Sequence, residues 1–335
     1  MLESRRSMPD ATVAIATRNR CEEVMRAVAS ALAQTADVEV IVVDDASDDG
    51  TAERLREAFP EIEVIESPHS VGSLIHRNTM FARARSPVII SLDDDAELVS
   101  PRTIEQTLAE FDDPRIAAVG IPFFDAPAPT RLLQRATPDA GCVITDSFLG
   151  CVAALRRDAF LAVEGYDTTL HHSGEEPDLC ARLLKRGWVV RLGSADVAIH
   201  HRSARRSTAF AARYATRNQL RFPLTHAPMP AGLTDLVAAL LIAGLRAIVR
   251  RHPGAVAAGV REGLSGLRAI AREPMSAELY AVWRRLAREG LRRRQRTTLA
   301  DIVSVLPALQ APIAVSRTGD RLTPPEPSAV RPTSV

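Results

Sequence analysis

Three consecutive aspartates, Asp93 to Asp95, follow directly on an apolar run, residues 87–92, that is typical of a buried strand. Like charges this close repel one another, so carboxylates at a strand end usually face a cation or a hydrogen-bond donor. Two carboxylates at i and i+2 can ligate a hard divalent ion that also holds a diphosphate. The alternative is a solvated acidic turn that caps a helix after Pro101. The triplet alone leaves both interpretations open.

A second acidic loop, residues 44–51, follows the apolar run 38–43. A carboxylate at this strand end, Asp44 or Asp45, can accept hydrogen bonds from a base N–H or from ribose hydroxyls. The later residues of the loop, from Ser47 onwards, suit the cap of a following helix. Both roles fit one loop, with the first aspartates binding a nucleotide and the later residues starting a helix.

Gly72, Arg77 and Asn78 fall in the next predicted loop and helix. Gly72 can permit close approach of a ligand to the backbone, and Arg77 can reach a phosphate. The alternative is that these residues form only a helix start with a surface arginine. Taken by themselves, Gly72, Arg77 and Asn78 favour this structural alternative.

The segment 174–179 opens a predicted helix and carries Glu175, Glu176 and Asp178. Acidic residues in the first turn of a helix complement the helix dipole. This structural role accounts for acidic residues here, but not for three of them within four positions. A carboxylate that projects into a cleft can act as general base to a hydroxyl nucleophile. Asp178 also has the i,i+4 spacing for an ion pair with Arg182.

His200 and His201 close the apolar run 197–199. An imidazole at a strand end is a candidate metal or phosphate contact. A histidine pair is more often structural, so both interpretations stay open.

Composition bounds the class of protein. The 335 residues, 46% of them apolar, suffice for a full core and leave room for a second, smaller unit. A net charge of +1 gives no indication of nucleic acid as a partner. The four cysteines form no C-x-x-C pair, which favours reduced thiols in a cytoplasmic protein.

Apolar segments are short throughout. The first residues have no apolar stretch behind them, so we expect no signal peptide. The longest uncharged apolar segment late in the chain, 236–245, has about half of the roughly 20 residues that a spanning helix needs. No transmembrane helix is therefore predicted.

Short β-branched runs alternate with helix-like segments in the first half of the chain. The predicted strands are 12–17, 38–43, 62–65 and 88–92, and the predicted helices are 21–33, 51–58 and 73–84. This alternation implies parallel strands joined by right-handed crossovers. In such sheets ligands bind at the carboxyl ends of the strands, where both acidic loops lie.

The second half is less regular. From about Ile116 the pattern loosens, and prolines predict loops up to Gly141. Beyond these, the predicted strands are 142–145, 149–155, 189–192 and 197–200, and the predicted helices are 157–163 and 178–186. After about Ser207 the chain becomes helical and rich in Arg, Ala and Leu, and the Pro/Ser/Thr/Arg-rich segment 316–335 predicts a disordered tail.

Five of these segments, in this order, resemble glycosyltransferase family 2, the inverting nucleotide-sugar transferases with the GT-A fold. The matching strings are VAIATRNR at 13–20, VVDDASDDGT at 42–51, Gly72 with Arg77-Asn78, LDDD at 92–95, and EEPDL at 175–179 followed by Gly187-Trp188. The resemblance covers about residues 11–205 and implies an α/β fold with a Rossmann-like, mostly parallel sheet flanked by helices. Residues 11–115 would form the nucleotide-sugar-binding half and 116–205 the acceptor half, between a tail at 1–10 and a helical C-terminal extension at 206–315.

The resemblance also implies a role for each motif residue. Contacts to the nucleotide sugar would come from Thr17, Arg18, Asp44 or Asp45, Arg77, Asp93 and Asp94. The main ligand of a Mg²⁺ or Mn²⁺ ion at the diphosphate would be Asp95, with Asp93 and His200 beside it. Glu176 stands where the family places its general base. Because the family more often has aspartate there, the role can move to Glu175 or Asp178.

Some positions depart from the family's pattern. Ser70 stands where relatives often carry Asn, and His76 where a small residue is usual. The Gln-x-x-Arg-Trp string and flanking membrane helices of processive members do not appear in the sequence. We therefore expect transfer of a single sugar rather than polymer synthesis.

The expected activity is metal-assisted transfer of one sugar from a nucleotide-sugar donor to a hydroxyl acceptor, with inversion. The acceptor would be a cell-envelope glycan, a glycolipid or a natural product. One alternative is a sugar-phosphate nucleotidyltransferase, but residues 17–20 lack the glycine-rich phosphate loop that such an enzyme needs. The other is a glycosyltransferase-like protein that binds without turnover.

A cytoplasmic protein is expected, with peripheral contact at the inner face of the cell membrane as an open hypothesis. The apolar segment 236–245 is followed by five arginines: Arg246, Arg250, Arg251, Arg261 and Arg268. Such a pattern can lie on an anionic bilayer surface. The alternative is an ordinary helical subdomain that packs on the catalytic core.

Overall fold

A computed structural model describes residues 8–126, 132–136, 141–201, 208–249, 252–265, 270–292 and 295–309. The predicted disordered tail, 316–335, lies outside the described residues. The strands are β1 Ala11–Thr17, β2 Val38–Asp44, β3 Glu63–Glu66, β4 Val88–Leu92, β5 Ala96–Leu98, β6 Ile116–Gly120, β7 Phe123–Ala126, β8 Leu132–Leu133, β9 Ile144–Thr145, β10 Val152–Arg156, β11 Val189–Leu192 and β12 Ala198–His201. The helices are α1 Cys21–Leu32, α2 Thr51–Ala58, α3 Ser73–Arg83, α4 Thr103–Ala109, α5 Arg157–Ala162, α6 Glu175–Lys185, α7 Thr208–His226, α8 Ala231–Val249, α9 Pro253–Leu264, α10 Ala277–Arg292 and α11 Leu299–Ile302.

The main sheet has eight strands in the order β3-β2-β1-β4-β10-β6-β11-β9. Strands β3, β2, β1 and β4 pair in parallel, as do β6 and β11, while β10 and β9 pair antiparallel with their neighbours. Helices cover the sheet, so its central strands are buried along their length, as parallel strands require. The predicted α/β fold with a mostly parallel sheet is confirmed.

Two expectations about the middle of the chain are wrong in detail. Loops were expected from Ile116, but Ile116–Gly120 forms β6, a fully buried strand in the main sheet. Its Ala and Gly residues carry little β propensity, so packing rather than local preference selects the strand. Helix α6 begins at Glu175, within the segment 174–179 that was predicted to open it with proline in the first turn, so only the start given at Asp178 is late, by three residues.

A smaller sheet has the order β5-β12-β7-β8 and was only partly predicted. Strand β12 lies between β5 and β7, and its register places His200 beside Ala96 on one side and Asp125 on the other. Since Ala96 directly follows Asp95, the smaller sheet brings the end of the aspartate triplet to His200.

The predicted helical extension is present and shares the hydrophobic core of the α/β domain. Trp283 of α10 stacks on Phe222 of α7 with ring centroids 5.2 Å apart, and Leu286 and Ile302 belong to the main hydrophobic core. Residues 297–299 also hydrogen-bond to 142–144 beside β9. The extension is therefore continuous with the domain that it follows.

Helix α8 corrects the expectation that no helix is long enough to span a membrane. That expectation counted only the uncharged residues between Asp235 and Arg246, whereas the helix extends beyond both charged residues. Its 19 residues extend for about 28 Å. Within the described part of the chain it is the one helix whose length and composition would allow it to cross a bilayer.

Candidate active site

A cleft of about 680 Å³ opens where β1, β2 and β4 end. Nine of the predicted site residues line it: Thr17, Arg18, Asp45, Arg77, Asp93, Asp94, Glu175, Glu176 and His200. Asp95 lies buried beside them, whereas Asp44 and Asp178 are engaged elsewhere. Acidic side chains from separate stretches of sequence therefore converge at one edge of the sheet.

The three aspartates of the triplet have different partners. Oδ1 of Asp93 accepts a hydrogen bond from Arg77 over 2.5 Å. Asp94 accepts hydrogen bonds from the Thr17 hydroxyl at 2.9 Å and from Arg20 at 2.6 Å. Burial raises the pKa of Asp94 to about 6, against the opposing effect of Arg20. Asp94 thus joins the ends of β4 and β1 across the floor of the cleft.

Asp93, Asp95 and His200 form the candidate metal centre. Each offers one ligand atom, and these atoms all lie within 4.8 Å of one another. Nε2 of His200 lies 3.3 Å from Oδ1 of the fully buried Asp95. Two carboxylates suit a hard divalent cation such as Mg²⁺ or Mn²⁺, and an imidazole is an accepted ligand of transition metals. The residues therefore fit the predicted cofactor.

The ring of His200 is held from its other side as well. Its Nδ1 lies 2.8 Å from Oδ1 of Asp125 on β7. Burial acts to lower the pKa of His200, but hydrogen bonds with Asp95 and Asp125 outweigh it and raise that pKa. A carboxylate behind a histidine fixes the orientation of the ring that it presents to a metal.

Asp45, which directly follows β2, is held by three partners. It bonds to the Ser70 hydroxyl at 2.7 Å, to the Val71 N–H at 2.8 Å and to Nε2 of His76 at 2.6 Å. Burial opposes ionisation, yet the hydrogen bonds lower the pKa of Asp45 to about 2. Ser70 and His76, the two departures from the family's pattern, therefore bind the same carboxylate.

Asp44, the alternative nucleotide contact, has a structural partner. Its Oδ1 accepts hydrogen bonds from the backbone N–H and the hydroxyl of Ser47, which closes the turn after β2. Arg18 lies on the cleft with an exposed side chain. Of the two aspartates, Asp45 is the one that faces the cleft.

The loop that leads into α6 is tied to α7. His171 and Ser173 both have a φ of 60°, and Gly174 has a φ of 108°. Nδ2 of the buried Asn218 on α7 lies 2.7–3.1 Å from three carbonyl oxygens of residues 170–173. A backbone in this unusual conformation persists only where its surroundings hold it. The hydrogen bonds from Asn218 stabilise the loop in this conformation and so fix the position of the first turn of α6.

Glu176 projects from the first turn of α6 towards Gly150. A Cβ at position 150 would overlap Oε1 of Glu176 and lie 3.4 Å from Nη1 of Arg77. Burial and the neighbouring charge of Glu175 raise the pKa of Glu176 to about 8, with Arg77 acting against them. A carboxylate that titrates near neutral pH is suited to general-base catalysis.

Asp178 does not line the cleft. Its Oδ1 lies 2.8 Å from Nε2 of the buried His226 on α7, and its Oδ2 accepts a hydrogen bond from Arg182 at 2.8 Å. The predicted i,i+4 pair with Arg182 is therefore present. These partners lower the pKa of Asp178 although burial opposes them, and the carboxylate fastens α6 to α7.

Aromatic side chains form one wall of the cleft. The rings of His172 and Phe210 lie 5.7 Å apart, and those of Phe210 and Tyr214 lie 4.6 Å apart. Phe210 is 48% exposed, and both it and His172 face the cleft. The first turn of α7 is thus part of the site, although the sequence assigned it to the helical extension.

Several residues that line the cleft were not predicted, among them Arg20, Asp125, Gly150 and Phe210. Arg20 belongs to the quoted string at the exit of the first strand, and Asp125 follows an apolar run, so both had a signal in the sequence. Gly150 precedes a strand, but only the fold places it against Glu176. Nothing local distinguishes Phe210 from the other apolar residues of its helix.

Residues 12–160 match the model of a family described as glycosyl transferase family 2. A pre-mycofactocin glycosyltransferase of Mycobacterium tuberculosis is 32% identical over 205 residues, which cover 53% of this chain and 40% of the relative. The succinoglycan biosynthesis protein ExoU of Rhizobium meliloti is 32% identical over 199 residues, which cover 53% of this chain and 58% of the relative. This chain spans about half the length of the curated relatives that it matches.

Solved structures share the fold. The mannosyltransferase PcManGT from Pyrobaculum calidifontis, in complex with GDP-Man and Mn²⁺, superposes with a TM-score of 0.54 at 19% identity, over 86% of this chain and 89% of that one. GalNAc-T7 with UDP, GalNAc and Mn²⁺ gives a TM-score of 0.51 at 16% identity, over 63% and 47% of the two chains. Residues 12–160 are thus similar to glycosyltransferase family 2, and the solved structures show that the fold is shared.

Proposed function

We propose that this chain transfers a single sugar from a nucleotide-sugar donor to a hydroxyl acceptor, with inversion and with the help of a divalent cation. The observation that carries the proposal is the convergence of Asp45, the candidate metal centre and Glu176 in one cleft. These are the groups needed to recognise a nucleoside, to bind a diphosphate and to remove a proton.

The donor would lie along the ends of β1, β2 and β4. Asp45 would accept hydrogen bonds from the nucleoside, and Arg18 lies on the same side of the cleft. A cation held by Asp93, Asp95 and His200 would offset the negative charge that develops on the departing nucleoside diphosphate. The complexes of PcManGT with GDP-Man and Mn²⁺ and of GalNAc-T7 with UDP and Mn²⁺ support this arrangement.

Glu176 is proposed to take the proton from the acceptor hydroxyl as its oxygen attacks the anomeric carbon. The bond from that carbon to the diphosphate oxygen breaks in the same step, and its electron pair leaves with the nucleoside diphosphate. Attack from the face opposite the leaving group inverts the configuration. Glu175 is buried beside Glu176, where its charge helps to keep the pKa of Glu176 high.

The acceptor is proposed to be a cell-envelope glycan, a glycolipid or a small natural product. Phe210 and His172 offer an apolar wall on which the face of a sugar or aromatic ring can pack. The names of two relatives, a pre-mycofactocin glycosyltransferase and a succinoglycan biosynthesis protein, support such acceptors. A cytoplasmic location with peripheral membrane contact, through which a glycolipid could be reached, belongs to the same proposal.

A thermal-shift panel of UDP, GDP, dTDP and CDP, each with and without Mn²⁺, tests donor binding. One nucleotide should stabilise the protein only with Mn²⁺, by about 2.7 kcal/mol when it is present at about 100 times its Kd. Asp95→Ala should remove the Mn²⁺-dependent part, whereas Asp112→Ala, at an exposed carboxylate paired with Arg191, should retain it. Failure of all four nucleotides, or Asp95→Ala behaving as wild type, would contradict the assignment.

Product analysis separates the two alternatives. A glycosyltransferase should slowly hydrolyse its donor to nucleoside diphosphate when no acceptor is present, and Glu176→Gln should slow transfer to an acceptor. A nucleotidyltransferase would instead release pyrophosphate from a nucleoside triphosphate and a sugar phosphate. Metal-dependent nucleotide binding with no release of product from any donor would indicate a binding protein.

A further inference from the structure

One side of α8 presents large aliphatic side chains to solvent. The exposed fractions are 71% for Leu241, 62% for Leu245 and 79% for Ile248. Leu233 and Val237, also more than half exposed, continue the series towards the start of the helix at spacings of four residues. These five residues, here called the docking face, lie on one side of the helix because spacings of three and four return to the same face.

The opposite side of α8 packs on the protein through small residues. Gly232, Ala239 and Ala243 are the buried residues of the helix, and Ala243 clusters with Ala212 of α7 and Val256 of α9. A spanning helix would be surrounded by lipid or by other spanning helices. Helix α8 packs against α7 and α9, neither of which has the length and composition to span a bilayer, so we infer that its exposed side meets a bilayer from the surface.

The stretch of sequence that contains α8 is rich in arginine. Between Asp235 and Glu262 the sequence contains four arginines and no acidic residue. Arg246 is hydrogen-bonded to Gln219 of α7, and Arg261 is exposed on α9. Basic residues beside an apolar helical face are the pattern by which interfacial helices bind anionic lipids.

We propose that the docking face of α8 inserts at the boundary between headgroups and acyl chains of an anionic bilayer, with the helix axis in the membrane plane. A second copy of the chain is a poorer occupant, because a two-fold contact would bring two arginine-rich stretches together, and the one acidic residue of α8, Asp235, is already paired with Tyr280 and Arg284. The tail 316–335 is also a poor cover, since its only large aliphatic residues are Leu322, Val330 and Val335.

Docking would bring the cleft close to the bilayer. The Thr208 hydroxyl at the start of α7 lies 2.8 Å from Nε2 of His252, which directly precedes α9. Thr208 and Phe210 line the cleft, and the same end of α7 packs against α8 through Ala212. If the proposed glycosyltransferase function holds, this placement favours an acceptor that is anchored in the membrane.

Flotation of the full-length chain with lipid vesicles tests the docking face directly. Wild type should float with vesicles of phosphatidylcholine mixed with phosphatidylglycerol, and much less with phosphatidylcholine alone. The double variant Leu241→Glu/Ile248→Glu should bind the mixed vesicles at least about tenfold more weakly, because two inserted aliphatic groups are replaced by charges. Val99→Glu, which adds a charge at a 55% exposed valine on the catalytic domain, should bind as wild type does.

Each outcome decides the proposal. Absence of wild-type flotation with both kinds of vesicle, or equal flotation of the double variant, would overturn it. A wild-type dimer in size-exclusion chromatography that becomes monomeric in the double variant, without flotation of either, would assign the face to a second copy. Flotation does not require turnover, so its failure leaves the proposed chemistry untouched.

A spectroscopic measurement on another variant provides a second test, which does not depend on the folding of the double variant. Leu241→Trp places an indole on the docking face and retains its apolar character. Its fluorescence should shift to the blue and be quenched by brominated acyl chains when anionic vesicles are added. An emission spectrum that stays unchanged while the protein floats would show that another surface binds the lipid.

Discussion

Nη2 of Arg77 donates a hydrogen bond to Oδ1 of Asp93 over 2.5 Å, and its Nη1 lies on the side of Gly150 that Glu176 occupies. Burial opposes the charge of the guanidinium, but Asp93 and Glu176 raise the pKa of Arg77. One buried cation therefore joins the candidate metal centre to the proposed general base. Without it, the two acidic groups would repel each other across the cleft.

Replacing Arg77 with lysine tests this link. Lysine keeps the charge but loses the planar guanidinium, whose Nη2 bonds to Asp93 and to the Gly150 carbonyl while its Nη1 lies on the side of Glu176. We expect kcat/KM to fall by about 100-fold, measured by nucleoside diphosphate release. Arg83→Lys on the same helix, at an exposed pair with Glu63, is the matched control and should change little. Equal activity of the two variants would show that Arg77 has no such role.

Gly150→Ala should reduce catalysis without unfolding the protein. The added methyl group would displace Oε1 of Glu176, the end of a movable side chain, so the loss of stability should be small. Misplacement of a catalytic group by about 1 Å can lower kcat by about 100-fold. Steady-state kinetics and thermal melts give the two readouts. Gly254→Ala, where the new Cβ meets nothing within 4 Å, should leave both unchanged.

The pH dependence of kcat/KM should report Glu176. A general base acts as the carboxylate, and the pKa of Glu176 is raised to about 8. The rate should therefore rise about tenfold per pH unit below this value and level off above it. Glu175→Gln removes the neighbouring charge and should move the rising limb to lower pH. A limb that keeps its position in this variant would assign the titration to another group.

His76→Ala should weaken nucleotide binding more than catalysis. The variant removes one of three partners that hold Asp45, so the carboxylate is less fixed and its pKa rises towards the usual range. We expect KM for the donor to increase by about tenfold with kcat nearly unchanged. An unchanged KM would show that Asp45 does not contact the nucleotide. Ser70→Ala, which removes a second partner, should act in the same direction.

Asp146→Asn should stabilise the protein in a pH-dependent way. Burial raises the pKa of Asp146 to about 6, so the folded state binds this proton more tightly than the unfolded chain. Wild type therefore loses stability as pH rises from about 4 through 6, by up to about 3 kcal/mol. The melting temperature of Asp146→Asn should exceed that of wild type at pH 8 and match it near pH 4. Asp112→Asn, at an exposed carboxylate, should show no such difference.

The strands β1 to β4 in the first part of the chain were predictable because each is a run of apolar residues bounded by polar loops. Strands β5 and β7 were not, since they have three and four residues and depend on pairing with β12 about 100 and 75 positions later in the chain. Because β7 was not predicted, the contact between Asp125 on that strand and His200 was not predicted either. Helix α8 was underestimated because Asp235 bonds to Tyr280 and Arg246 to Gln219, which removes both charges from its exposed side.

The residue types of the site can be predicted from the sequence, but which residue has which role cannot. Asp44 and Asp45 are adjacent in the sequence, and only the fold shows that Ser47 holds one while the other reaches the cleft. The same holds for Asp178, whose partner His226 lies 48 residues away. The choice between Asp44 and Asp45 depends on Ser47 nearby and also on Ser70 and His76, which bind Asp45 from 25 and 31 residues away. Contacts between distant segments are not encoded in a local pattern.

Helix α7, which has 19 residues, makes three separate contributions to the structure. Phe210 stands at the acceptor wall, Asn218 holds the loop ahead of Glu176, and Ala212 lies against α8. A fragment cut at residue 160, where the family match stops, or at 205, where the sequence suggested a boundary, would lack this support. We therefore expect the smallest active fragment to be longer than either limit and to include α7, which holds the loop ahead of the proposed general base.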